Sequence, residues 1–337
     1  MQKMGFRTSR LLPLLGLAAA VSMAVGTMGA TAASQSLKGK KVGVIVCTSA
    51  NPFCAAWTNS LKSGLQKEGA SVEVLTSDFD PSTDAENMNR LIAQKVNLII
   101  MAPASATAII PSIVRAKAAG IKIEVALGSL TPAGAKLVNA SVLTHDSALG
   151  KFAAENVVAG LKAEGKTSGN VIALTGTATQ LNVTDRMAAF DAYMKNYPQY
   201  KIVAVEDAQW DQATSETDTQ QLLSKYQSQG GIQAAYGMAD NQAVGIIQGA
   251  QQAGDAVGVK NKGLVVVGSN CLSVGIKAIE AGTEYGTGTQ APATEAAAAD
   301  KVATTILEGG KPPKLTYVTE ARITQANVKQ YAKLCTY

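Results

Sequence analysis

Short β-branched runs alternate with helical segments along this chain, and the whole alternation occurs twice. Lys41 to Cys47 (KVGVIVC) has the pattern of a buried strand, and Pro52 to about Gly69 reads as the helix that follows it. Further strands are expected at Val72–Thr76, Leu98–Met101 and Ile121–Leu127, with a helix opening at Asp84 and another over Ala106–Ala119, stopped by Gly120. After about Asp146 the pattern restarts. Strands are expected at Val171–Leu174, Ile202–Val205, Ala234–Tyr236 and Leu264–Val267, and helices near Ala178–Asn196, Thr214–Gln229 and Gln242–Ala253. Repeated strand–helix–strand units wind onto a mostly parallel sheet with helices on both faces. A chain of 337 residues exceeds what one hydrophobic core usually organises. The predicted fold is therefore α/β, with two Rossmann-like, doubly wound lobes. No Pro-rich or charged linker separates them, and Ala293–Ala299 (ATEAAAA) reads as helix, which suits two lobes that stay close and move about a hinge.

The formal charge of +5 is concentrated at the start of the chain. Lys3, Arg7 and Arg10 precede an apolar run from Leu11 to Val25, and small residues lead to Ala30-Thr31-Ala32. A basic head, a short apolar middle and an A-x-A end form an export signal over residues 1–32, with cleavage expected after Ala32. Removing three positive charges and no negative ones takes +5 to +2. The apolar run is shorter than the ~20 residues of a membrane span, and no cysteine lies near the cleavage region to carry a lipid. The expected location is the periplasm, if the source has an outer membrane. Export permits disulfides. Of the three pairings open to the four cysteines, Cys47–Cys54 with Cys271–Cys335 is preferred because the first pair would straddle one strand-to-helix loop; four buried thiols is the competing reading.

Catalytic signatures are sparse. His145 is the single histidine, so multi-histidine metal sites are excluded and triad chemistry would have to run through it. The sequence contains no HExxH, GxSxG or GxxxxGK[ST]. Gly286-Thr287-Gly288 lacks the third glycine of a dinucleotide site. His145-Asp146 reads as a polar pair at a strand exit, with Asp146 capping a helix that begins at Ser147; a hydrolase using His145 is the remote catalytic alternative. No cofactor and no metal are expected. The near-neutral mature charge, with no basic stripe interleaved with aromatics, lacks the footprint of a nucleic-acid partner.

In open α/β sheets, ligands bind where loops leave the C-terminal ends of strands. Asn51-Pro52-Phe53 follows the first strand, Trp210 precedes a helix, Asn270 ends GLVVVGSN, and Gln290 ends TEYGTGTQ. Aromatic faces and primary amides suit neutral hydroxylated ligands, because C–H faces stack on rings while amides donate and accept hydrogen bonds. For Phe53, core packing is an equal alternative. Trp210, set among Asp207, Gln209, Asp211 and Gln212, is an improbable core residue.

At these positions the chain resembles the periplasmic sugar-binding proteins of ATP-driven (ABC) importers, the type I fold that includes ribose-binding proteins. The markers are KVGVIVCTSANPF, QKVNLIIMAPAS, LTHDSALGKFAAE, DRMAAF, MADNQAVGIIQGAQQAG, VVVGSNCLSVGIKAIEAG and TGTQAP, in that order. The resemblance implies an N-terminal lobe of 39–144 plus 291–319, a C-terminal lobe of 145–290 plus 320–337, and a hinge the chain crosses three times. It implies ligand contacts at Asn51, Phe53, Trp210 and Gln290, with Asn270 standing where an Asp usually holds sugar hydroxyls.

Other positions depart from the family pattern. Leu127-Gly128 replaces an Asp-Arg pair, Ala239 an Asn, Thr184 a binding Arg, and Cys54 a second aromatic; Arg186 keeps a family position and is read as structural. Losing several charge-assisted hydrogen bonds, each worth ~1.5–3 kcal/mol, argues against tight binding of a typical pentose. The expected ligand is a small neutral sugar, polyol or related metabolite. The expected partners are an ABC permease with its ATPase, or a chemoreceptor using the same closed form, and the expected state is a monomer.

Overall fold

The computed structural model describes residues 36–335 and 337, so the export signal expected over 1–32 lies outside the described residues. Five strands of the first half, β1 (Lys41–Val46), β2 (Ser71–Thr76), β3 (Leu98–Met101), β4 (Lys122–Ala126) and β5 (Ala140–Thr144), form one sheet with β11 (Leu315–Val318). Five of the second, β6 (Gly169–Thr175), β7 (Tyr200–Asp207), β8 (Ala234–Gly237), β9 (Val265–Val267) and β10 (Gly286–Gly288), form another with β12 (Arg322–Thr324). The orders are β11-β5-β4-β3-β1-β2 and β12-β10-β9-β8-β6-β7. All pairings are parallel except β10 with β12. This is the two-lobed α/β architecture that the double alternation implies.

The helices are α1 (Pro52–Lys67), α2 (Pro81–Ala93), α3 (Ile110–Ala118), α4 (Pro132–Ala135), α5 (Asp146–Ala163), α6 (Leu181–Met194), α7 (Gln212–Tyr226), α8 (Asp240–Gln252), α9 (Ser273–Ala281), α10 (Pro292–Leu307) and α11 (Val328–Tyr331). Period-two alternation sends neighbouring strand residues to opposite layers. Val42, Val44 and Val46 of β1 pack with Trp57, Leu61 and Leu65 of α1 and with Ala299 and Ala303 of α10. Ile45 faces the other way, onto Met88 and Leu91 of α2 and Ile113 of α3. In the second lobe Val171 and Ala173 meet Phe190 and Met194, whereas Ile172 and Leu174 meet Leu222 and Ile246. Both faces of each sheet are buried, which is why these strands read as continuous apolar runs.

Several expected starts move once side-chain capping is seen. The helix expected to open at Asp84 opens at Pro81, because the Asp80 carboxylate accepts from Thr83 N at 2.6 Å. Asp84 is buried in its first turn and accepts from Ala104 N at 2.7 Å; burial pushes its carboxyl up to about 6. Asp146 does not cap. It is the first residue of α5, and its carboxylate accepts from Arg186 Nε at 2.8 Å. Gly286 and Gly288 have a packing role: a Cβ on Gly286 would lie 2.3 Å from the Ile323 carbonyl, and one on Gly288 would lie 2.8 Å from Leu149.

Cys47 is bonded to Cys54, seven residues on, and Cys271 to Cys335, 64 residues on. The longer closed loop constrains the unfolded chain more, about 4 kcal/mol against about 2.5 kcal/mol in the loop-entropy treatment. Replacing Cys271 and Cys335 together with Ala should therefore lower the guanidinium unfolding free energy by more than the Cys47/Cys54 double replacement. Equal losses would contradict this ranking.

Candidate functional site

The C-terminal strand ends of the two sheets face one another, and a cavity of about 50 Å³ lies between them. From the first lobe, the cavity is lined by Asn51 and Phe53 at the start of α1, the Cys47–Cys54 disulfide, Phe79 after β2 and Leu127 after β4. From the second come Gln180, Asn182 and Arg186 around the start of α6, Trp210 after β7, Asn270 after β9 and Gln290 after β10. All five residues expected to contact ligand converge here, as do Cys54 and Leu127. Gly128 packs beside Pro103, Ala239 is buried ahead of α8, and Thr184 is exposed with its hydroxyl donating to Leu181 O. None of these three lines the cavity.

The backbone at this junction is unusual. Asp78, Phe79, Leu127, Gln209, Trp210, Asn270 and Cys271 all have φ between 49° and 87°, a region L-residues seldom adopt. Such conformations persist only where the surroundings over-determine them. Asp240 provides one such support: its carboxylate accepts from Leu272 N at 2.5 Å and from the Thr287 hydroxyl at 2.6 Å, fixing the Asn270–Cys271 turn. Gly176 provides another, since a Cβ there would sit 1.8 Å from the Trp210 ring.

Arg186 is the centre of the site. Its side chain is 1% exposed. Nε donates to Asp146, Nη1 to Met238 O at 3.0 Å and Asn270 Oδ1 at 2.9 Å, and Nη2 to Gln290 Oε1 at 2.7 Å. The guanidinium carbon lies 5.5 Å from the Trp210 ring centroid, within cation–π range. Burial pushes the Asp146 carboxyl up, and the adjacent arginine opposes that rise. The network continues through Gln290 Nε2 to Glu295 Oε2 at 3.3 Å, and the Thr144 hydroxyl donates to Glu295 Oε1 at 3.2 Å. Complete burial, reinforced by Asp146, pushes Glu295 up to about 8, so it is largely neutral at pH 7.

Trp210 combines the two roles that the sequence set in opposition. It is 6% exposed and belongs to the second lobe's core, yet its ring lines the cavity and its Nε1 donates to Gln180 Oε1 at 2.7 Å. The lobes also touch directly. Thr179 Oγ1 donates to Ala104 O at 2.8 Å, Gln180 Nε2 to Pro103 O at 3.4 Å, and Asn51 Nδ2 to Trp210 O at 3.4 Å. Thr179 and Gln180 fall inside the helix expected over Ala178–Asn196; α6 starts only at Leu181, which frees them to reach across. A wider groove of about 650 Å³ shares Asn51, Phe79 and Trp210 with the cavity and forms its mouth. His145 lies elsewhere, its ring stacked on Tyr317 at 3.7 Å and its Nδ1 3.0 Å from Glu320.

Residues 42–311 match the family model described as a periplasmic binding protein domain. The chain belongs to this family. It is 24% identical over 303 residues to a xylitol-binding protein of Mycolicibacterium smegmatis, covering 88% of this chain and 80% of that one. It is 26% identical over 288 residues to a ribose import binding protein of Salmonella typhimurium, covering 84% and 90%. Among solved structures, the Caulobacter myo-inositol binding protein bound to myo-inositol superposes with a TM-score of 0.79 at 20% identity, covering 87% of this chain and 96% of that one. The superposition shows that the chain shares its two-lobed α/β fold with that solved structure.

Thr184, expected as a possible pocket residue, is exposed, whereas Arg186, read as structural, ties four segments together as that reading implies and also lines the cavity. Phe79, Gln180 and Asn182 were not singled out from the sequence at all. Phe79 lies in TSDFDPS, where an aromatic between two aspartates at a strand exit carries the same signal as Trp210.

The raised Glu295 predicts a sign for pH dependence. Its folded-state pKa lies above the ordinary carboxylate value, so its contribution to stability is complete below that value and is lost as pH rises toward about 8. Glu295→Gln should flatten the fall in melting temperature between pH 5 and pH 8. An unchanged slope would show that Glu295 does not titrate in this window.

Proposed function

We propose that this chain is the substrate-binding component of an ABC importer, holding a small neutral sugar, polyol or related metabolite between its lobes and presenting it to a membrane permease. The observation that carries this reading is the cavity itself: aromatic rings and amides from both lobes surround one arginine whose charge is balanced by Asp146. A compensated cation favours neutral oxygen-bearing ligands over anions, which would have to compete with the Asp146 carboxylate. The xylitol- and ribose-binding relatives support the ligand class.

We take the lobes to be 39–144 with 291–319 and 145–290 with 320–337, so the chain changes lobe at His145, Ala291 and Glu320. His145 N donates to Glu320 Oε1, which ties two of these segments together beside the pivot. Ligand bridging Arg186 and Asn51 would stabilise the closed arrangement, and the permease would recognise that arrangement. Binding of this kind needs no catalysis, and His145, the centre of any hydrolase reading, is occupied by Glu320 and Tyr317 outside the cavity. We place the mature protein in the periplasm, as a monomer, after removal of residues 1–32. A chemoreceptor partner would read the same closed form.

A thermal-shift screen of sugars and polyols tests the ligand class, since a ligand at about 100 times its Kd stabilises by ~2.7 kcal/mol. No shift with any of them would sink it. The two tryptophans separate site from scaffold: Trp57 is fully buried in the first lobe's core and Trp210 lines the cavity. Trp57→Phe should keep the ligand-induced change in fluorescence, and Trp210→Phe should lose it and weaken binding. Retention of both by Trp210→Phe would remove Trp210 from the ligand site.

A further inference from the structure

We propose that the ligand is a partly deoxygenated sugar or short polyol, with its oxygens along one edge and unsubstituted carbon along the other. The inference rests on the sugar or polyol reading above and narrows it. Its basis is the unequal composition of the two cavity walls. The first lobe presents Phe53, Phe79, Leu127 and the Cys47–Cys54 disulfide. Its one polar member, Asn51, is largely engaged: Oδ1 accepts from Phe53 N and Cys54 N, and Nδ2 donates one N–H to Trp210 O, which leaves a single N–H on this wall.

The second lobe supplies most of the free hydrogen-bonding capacity, and that capacity is mainly donor. A guanidinium has five N–H bonds. Arg186 places four of them on Asp146, Met238, Asn270 and Gln290, which leaves one on Nη2. The Asn270 oxygen accepts from Arg186 and the Asn182 oxygen from Val183 N, while neither amide NH2 has a hydrogen-bond partner among the described residues. Oxygens on one ligand edge can accept from these three groups. Hydroxyls on the opposite edge would meet Phe79, Leu127 and sulfur and lose their water without a replacement partner.

Leu127 is the most informative residue of the apolar wall. It holds φ 63°, a conformation that Asn, Asp or Gly adopts more readily than a branched apolar side chain. Polar residues that would hydrogen-bond a hydroxyl at this point also fit the backbone better than leucine does. The cavity, about 50 Å³ or room for roughly four waters, also favours a small ligand.

Calorimetric titration of the mature chain with matched pairs tests this: 5-deoxy-D-ribose against D-ribose, L-rhamnose against L-mannose, and propane-1,2-diol against glycerol. In any pair that binds, the deoxygenated member should bind roughly 10- to 100-fold more tightly, the penalty for one unpartnered buried hydroxyl. Leu127→Asn, which suits the left-handed backbone, and Phe79→Tyr, which keeps the ring, should each narrow or reverse that preference. Equal or tighter binding of the hydroxylated members to the unaltered chain overturns this inference and leaves the sugar or polyol reading standing. Failure of all six to bind overturns both. A deoxy preference that neither substitution changes overturns the assignment of selectivity to this wall.

Discussion

The buried guanidinium of Arg186 is the interaction on which the site depends. A charge removed from water is tolerated only when most of its donors are satisfied and an opposite charge is near. Asp146, the Met238 carbonyl and the amide oxygens of Asn270 and Gln290 meet that demand, and each comes from a different segment of the second lobe. Satisfying one cation therefore fixes α5 against α6 and holds the exits of β8, β9 and β10 in one arrangement. The residues that would hold a ligand are the same ones that hold the arginine, so pocket geometry and lobe integrity are difficult to alter independently.

The first lobe imposes a different constraint. Its contribution is a wall of rings, leucine and sulfur, held on backbone turned into the left-handed region at Asp78, Phe79 and Leu127. Its polar links to the other lobe run through Ala104, Pro103 and Asn51, and through Glu295, which accepts from Gln290 at the edge of the arginine network. The two surfaces are thus specialised: one fixes hydrogen-bond directions and the other excludes water. A ligand held by one and covered by the other would contribute to both orientation and closure.

Much of this was legible in the sequence. Period-two apolar runs separated by helical stretches specify parallel sheets because both strand faces must be covered, and the eight strands given expected positions fall within a few residues of them, whereas β5, β10, β11 and β12 had none. Asn51, Phe53, Trp210, Asn270 and Gln290 could be named because strand exits are where such folds collect functional side chains. What could not be read were facts about direction. Thr184 and Arg186 lie two residues apart on α6, and only the helix's rotation against α5 decides which one faces the cavity. Asp146 looked like a cap because local sequence cannot show an arginine 40 residues away that competes for its carboxylate. At Leu127 the left-handed conformation falls on the leucine and not on the glycine that follows it, which the sequence does not announce.

The interleaving of the sheets has a consequence for biosynthesis. The first sheet begins at Lys41 but acquires its edge strand, β11, only from residues 315–318, and α10, which completes the layer against α1, only from residues 292–307. During translation from the N-terminus, the lobe begun first cannot be finished until nearly the whole polypeptide has left the ribosome. Contacts this distant along the chain form slowly, because loop closure must precede any gain from packing. The connectivity that interleaves the two sheets would thus delay folding of the nascent chain.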